Sequence, residues 1–184
     1  MSQLRFATAQ DLFDSFTLAR SNIKASPTED PPLTFLRDLI ANEKVDDALF
    51  FCAYLLPRRE AVWWASRSVR ALKGAELDGK AQGLVLAEAW VREPDAERRR
   101  AAEEFGKSAN VDDPMTWLAQ AAAWSGGAVS MGQASAFAPP PELTPHAACV
   151  AILLCAGRLS PADRRARLIA CIEDGAKLAE TGLE

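Results

Sequence analysis

The chain has 184 residues, 49% of them hydrophobic and 25% charged, with a formal net charge of −4. That length suits one domain with a single core, because a chain of this size buries roughly 70% of its unfolded surface. The acidic balance excludes the overall charge footprint of a nucleic-acid binder, and the longest uncharged apolar run, Ala147–Ala156, is half a bilayer span.

Alanine and leucine dominate, and alternating β-branched or aromatic runs are scarce, so helices are expected throughout. A first helix is predicted over Gln10–Ser21, capped by Thr8, with Leu12, Phe13, Phe16 and Leu18 on its apolar face. Ala25–Pro32 is a loop of proline, serine and acid. Pro31 and Pro32 open a second helix, Leu33–Asn42. Val45–Leu55 is apolar almost all round, which places it inside the molecule. Pro57 ends it, since the residue before a proline is pushed out of the α region. Pro57–Leu72 is the next helix, stopped by Gly74, and Asp78–Arg92 follows. Asp95–Ser108 has only Ala101, Ala102 and Phe105 to bury and is expected on the surface.

Three later helices carry one start signal, a capping side chain followed by proline. These are Asp113-Pro114, Thr144-Pro145 and Ser160-Pro161, the last with Asp163 completing a capping-box pattern. They are predicted to run to Ser125, Ala156 and Glu180. Gly126–Leu143, rich in Gly, Ala, Ser and Pro, reads as a long loop, of the kind that is functional or mobile. The expected architecture is all-α, a single helical domain over 1–184 with eight or nine helices. Val45–Leu55 and Pro145–Ala156 would lie innermost.

Chemistry is sparse. Cys52, Cys149, Cys155 and Cys171 form no C-x-x-C pair, and each sits in an apolar helical pattern, as buried reduced thiols do. The only histidine, His146, falls in a first helical turn and reads as an exposed or capping residue. Gly126–Gly132 is glycine-rich but lacks the Walker lysine and the Rossmann spacing. No catalytic residue, metal ligand or cofactor is nominated. The arginine runs Arg98–Arg100 and Arg164–Arg167 read as solvated faces, with Arg99 and Arg100 four residues before Glu103 and Glu104. They would bind nucleic acid only by forming one continuous surface, so none is expected.

The unusual stretch is Leu55–Arg70, which holds two of the five tryptophans between arginines. Arg58 and Arg59 occupy the first helical turn, where the macrodipole disfavours cations by roughly 0.3–1 kcal/mol each. Compensation is expected from Glu60, from Asp46 or Asp47, from the Glu29-Asp30 loop, or from an anion or acidic partner. Neighbouring helical residues point about 100° apart, so Trp63 and Trp64 diverge. Trp64, with Val62 or Val69, is expected to be shared between core and seam, and Trp63 to lie under the stems of Arg59, Arg67 and Arg70, a contact of about 0.5–2 kcal/mol. Arg58, Arg59, Glu60, Trp63, Arg67 and Arg70 are therefore candidates for a clamp between helices or for binding a partner or anion. An alternative is a small-ligand or enzyme pocket around Glu60, Arg67 and Trp63.

Leu55–Ala65 resembles the box of an uncharacterised bacterial helical family, a domain of unknown function. Trp124–Gly127 before a proline-rich stretch and an apolar helix, and the entry Pro32–Leu36, resemble its other marks. That resemblance implies a bacterial protein from a family sometimes encoded near type VI secretion genes, with no activity attached. The start of the chain lacks the apolar core of a signal peptide, so the expected protein is cytoplasmic and not inserted in a membrane. It would be a non-enzymatic interaction or adaptor protein, accessory to a secretion assembly, with Leu55–Arg70 and Gly126–Leu143 as contact surface. A protein partner is expected, and self-association is allowed. Arg58→Ala with Arg59→Ala would then leave the fold intact and abolish co-purification.

Overall fold

Capping side chains and prolines set most of the helix starts in the computed structural model, which describes residues 4–74, 81–108, 110–126, 129–131 and 134–183. Among these lie ten helices and one short hairpin, an all-α fold. In order they are α1 (Ala9–Ser15), α2 (Ala19–Asn22), α3 (Pro32–Ala41), α4 (Val45–Leu55), α5 (Arg58–Lys73) and α6 (Gln82–Arg92). Then come α7 (Ala96–Ser108), α8 (Pro114–Ala123), β1 (Val129–Met131), β2 (Ala134–Phe137), α9 (Leu143–Ala156) and α10 (Pro161–Thr181).

The expected first helix is two. Thr8 and Asp11 form a reciprocal capping box, but Phe16 adopts extended backbone at φ −134° and ends α1. Its ring packs 5.2 Å from Tyr54 of α4 and 5.9 Å from Phe6, so tertiary contact overrides a continuous apolar pattern. Between α3 and α4 the backbone makes a Schellman turn, with Lys44 N–H donating to Leu39 C=O and Glu43 N–H to Ile40 C=O. Glu43 holds the left-handed position at φ +62°, a place glycine usually takes. Gly74, at φ +52°, stops α5 as expected, and the predicted start of α6 at Asp78 lies outside the described residues.

Two starts differ from expectation. Pro57 caps α5 instead of opening it, so Arg58 and Arg59 are its first two residues. α9 begins at Leu143, two residues before Pro145, and Thr144 is buried beside the Ser125 hydroxyl at 3.4 Å. Pro145 costs nothing there, because its missing N–H is among the four that a helix start leaves unbonded. The expected Gly126–Leu143 loop contains the antiparallel pair β1–β2, in register Val129↔Phe137 and Met131↔Ala134.

α4 and α9 do lie in the core, with nearly every residue of α4 buried, and α8 joins them through its alanines. α9 packs on α8, α5 and α4, while α10 covers α4 and α5. Contrary to a simple surface helix, α7 buries Ala102, Glu103 and Gly106 and packs closely on α8 and α6. The close approach of α6 to α8 needs glycine: a Cβ on Gly83 would stand 2.1 Å from the Met115 carbonyl oxygen. All four cysteines are free and buried. Burial pushes their thiols up, Cys155 to about 11.

Candidate functional site

The helical period of α5 turns Ala61, Val62, Trp64, Ala65, Ser68 and Val69 inward and leaves Arg59, Arg67 and Arg70 outside. Trp64 is 2% exposed, and its indole N–H donates to the Cys171 carbonyl of α10 at 2.7 Å. α10 can come this near because Gly175 faces it: a Cβ there would lie 2.4 Å from Cys52 Sγ and 2.8 Å from Trp64 Nε1. The Cys52 thiol donates to the Ile172 carbonyl at 3.7 Å. Sequence thus places a tryptophan, a cysteine and a glycine where α4, α5 and α10 meet.

The six candidate residues separate into three settings. Arg58 and Glu60 sit half-buried at the start of α5, near Arg5, whose guanidinium donates to the Leu56 carbonyl at 2.9 Å. Burial lowers the Arg5 pKa, the like charge of Arg58 lowers it further, and Glu60 opposes both. Arg59 donates through Nε to the Val91 carbonyl at 2.7 Å, and Arg70 grips both oxygens of Glu88 at 2.6 and 2.7 Å. Those two tie α5 to α6, the clamp that the sequence suggested. Trp63 and Arg67 have a different role, as they face α10 across open space.

Compensation for the cations opening α5 does not come from α4. Asp46 pairs with Arg164 at 2.8 Å, and the buried carboxylate of Asp47 accepts from the Lys24 and Ala25 backbone at 3.1 and 2.9 Å. Asp30 is held by the Thr28 hydroxyl. Nor does an arginine stack on Trp63: the cation–π contacts among the described residues are those of Arg5 over Phe6 and Phe16.

Between α5 and α10 lies a narrow, partly open cavity of about 160 Å³, with Trp63, Trp64, Ser68 and Cys171 in its walls and Arg67, Arg167 and Asp174 around it. Trp63, Arg67, Asp174 and Leu178 also line a wider groove of about 540 Å³, which adds Arg59, Arg92, Lys177 and Leu183. Glu60 lines neither. Arg59, Arg67, Arg92, Arg167 and Lys177 therefore surround these spaces, and Asp174 is the carboxylate opposing them. Lys177 reaches Asp174 at 3.8 Å with both side chains largely exposed. Among the described residues no carboxylate lies at ion-pair distance from Arg67, Arg92 or Arg167.

Sequence reasoning missed Arg92, Arg167 and Lys177. Arg167, Cys171, Asp174 and Leu178 do recur at helical spacing along α10, but nothing in that pattern says which helix they face. Elsewhere several arginines are paired, Arg98 with Glu93 and Asp95, Arg99 with Glu103 at 3.7 Å and Arg165 with Glu43 at 2.7 Å, whereas Arg37, Arg100 and Arg158 stand singly among the described residues and line neither of these spaces. The two arginine runs also sit apart in the packing, α7 on α6 and α8, and α10 on α4 and α5.

His146 is not an exposed cap. It is half-buried, its Nδ1 3.2 Å from Asn22 Nδ2, which donates to the Tyr54 hydroxyl at 2.8 Å, and burial lowers its pKa. Glu142 accepts from the Leu18 N–H at 3.2 Å, so this polar seam ties α2 to the start of α9. Among the described residues no cluster of three His, Cys, Asp or Glu could hold a metal, and no helix is long and apolar enough to cross a membrane. Cys171 borders the narrow cavity, yet burial raises its pKa, which leaves it a thiol and a poor nucleophile. What the arrangement can do chemically is hold negative charge beside an indole.

Fold and groove define the class: an all-helical protein with a cation-lined groove between α5 and α10. The chain belongs to a family described as "Family of unknown function (DUF6931)", whose match covers residues 35–179. That span runs from α3 into α10 and takes in Arg59, Trp63, Arg67, Arg92, Arg167 and Lys177. No curated protein and no solved structure matches the chain.

Proposed function

We propose that this chain is a non-enzymatic interaction protein, which docks a protein partner along the groove between α5 and α10. The observation that carries this reading is the positive charge of Arg67, Arg92 and Arg167, none with a carboxylate at ion-pair distance among the described residues, beside half-buried Trp63 in a chain whose net charge is −4. Leaving cations unpaired does nothing for the fold, whereas tryptophan and arginine are the side chains that dominate binding hot spots. Charge at a rim also raises the rate at which a complementary partner is found. A cytoplasmic accessory role beside a bacterial secretion assembly, the setting implied by the family resemblance, belongs to the same proposal. A small-ligand pocket built on Glu60 has less support, because Glu60 sits with Arg5 and Arg58 outside both spaces.

The test is affinity purification from the native bacterium with mass spectrometry, comparing wild type with Arg67→Glu combined with Arg92→Glu. Both residues are exposed, so stability should change by no more than about 0.5 kcal/mol. The expected result is loss of at least one specific partner with unchanged circular dichroism. Retention of every wild-type partner by the double variant would show the reading to be wrong.

A further inference from the structure

The narrow end of the groove says more about the partner's chemistry. At about 160 Å³ it is smaller than the roughly 300–1,000 Å³ of a typical small-molecule pocket, and matches a single side chain. Its walls are apolar where Trp63, Trp64 and Leu72 stand, Arg67 from α5 and Arg167 from α10 supply positive charge from its two sides, and the carboxylate at its edge, Asp174, is exposed and met by Lys177 at 3.8 Å. Neither arginine has an acidic partner among the described residues, although Arg164 and Arg165 on the same helix both do. The wider groove continues the same chemistry, with Arg59, Arg92 and Lys177 beside the apolar Leu178 and Leu183.

Resting on the docking reading above, we propose that the occupant is an acidic protein segment, with one carboxylate side chain held between Arg67 and Arg167 and neighbouring apolar side chains against Trp63 and Leu178. Guanidinium groups on opposite helices can each donate to one carboxylate oxygen, and a planar fork suits that geometry better than an ammonium. Half-buried Trp63, Leu178 and Leu183 between the cations give an alternating acidic and apolar segment apolar surface to cover. A nucleic acid matches this groove less well, since a phosphate backbone needs a long basic track and the chain as a whole is acidic.

The test uses the whole protein and a fluorescein-labelled peptide alternating glutamate and leucine, followed by anisotropy and by tryptophan emission. A lysine–leucine peptide, inorganic phosphate and a single-stranded DNA oligonucleotide serve as comparisons. Expected are saturable binding of the acidic peptide, little of the basic one, and loss in about 1 M salt, where charges are screened beyond about 3 Å. Arg67→Gln with Arg167→Gln should weaken binding about tenfold or more, and Arg164→Gln with Arg165→Gln should leave it unchanged. Equal loss in both double variants would mean diffuse charge attraction and would overturn the inference. So would tighter binding of the oligonucleotide, complete competition by phosphate at equal concentration, or no binding of the acidic peptide. If that peptide fails while Arg67→Glu with Arg92→Glu still strips a native partner, the docking reading stands and only its acidic chemistry falls.

Discussion

Arg165 and Arg167 lie two residues apart on α10, yet their surroundings differ in kind. Arg165 reaches Glu43 at 2.7 Å, and its neighbour Arg164 reaches Asp46 at 2.8 Å. On that side Lys24, Lys44, Arg164 and Arg165 meet Glu43, Asp46 and Asp47, so charge is nearly balanced. On the other side Arg167 joins Arg67, Arg92, Arg59 and Lys177 against Asp174. The facing helix makes the difference. α4 begins with acids, which its N-terminal dipole favours, while α5 begins with arginines, which its dipole disfavours. An arginine run therefore marks no candidate by itself; arginines gathered round one groove, with no acid at ion-pair distance among the described residues, do.

The comparison can be broken most severely at the floor of the groove. Trp64→Ala removes the ring that joins α5 to α10 and should cost about 3–5 kcal/mol, measured as a fall in urea midpoint with little change in slope. A loss under about 1 kcal/mol would mean that α10 does not depend on this contact. Gly175→Ala tests the same junction by overfilling it. Its Cβ meets Cys52 Sγ and Trp64 Nε1, so destabilisation of about 1–3 kcal/mol is expected, with altered tryptophan emission. The smallest effect belongs to the balanced side. Arg164→Ala with Arg165→Ala removes two exposed ion pairs, each contributing about 0–1 kcal/mol, and should leave partner capture intact. Loss of partners from that variant would erase the distinction between the two faces.

Much of the helical order was legible in the residues. The bounds of α4 agree with its apolar run between Val45 and Leu55, and Thr8, Asp113 and Ser160 cap as their types predict. Thr144 misled, because the Thr-Pro signal at a helix start is local, whereas burial against Ser125 of the α8 end drew Thr144 into the helix. Phe16 misled for a similar reason, its ring being claimed by Tyr54 and Phe6. Part of the candidate site was visible too. Trp63 and Arg67 stand in the stretch that drew notice, and Arg59 and Arg70 turned out to hold α5 on α6.

What the sequence determined by itself is therefore periodic and local: all-α class, helix starts set by caps and prolines, buried thiols, and an arginine–tryptophan stretch out of keeping with its own helix dipole. Only the tertiary structure decided which cations are left without acids, because pairing depends on which helix faces which across distances of a hundred residues in the chain. Arg67 and Arg167 are that far apart in sequence and line one cavity. The physical reason is that helical spacing sets the face on which a charge stands, and packing alone sets what stands opposite it.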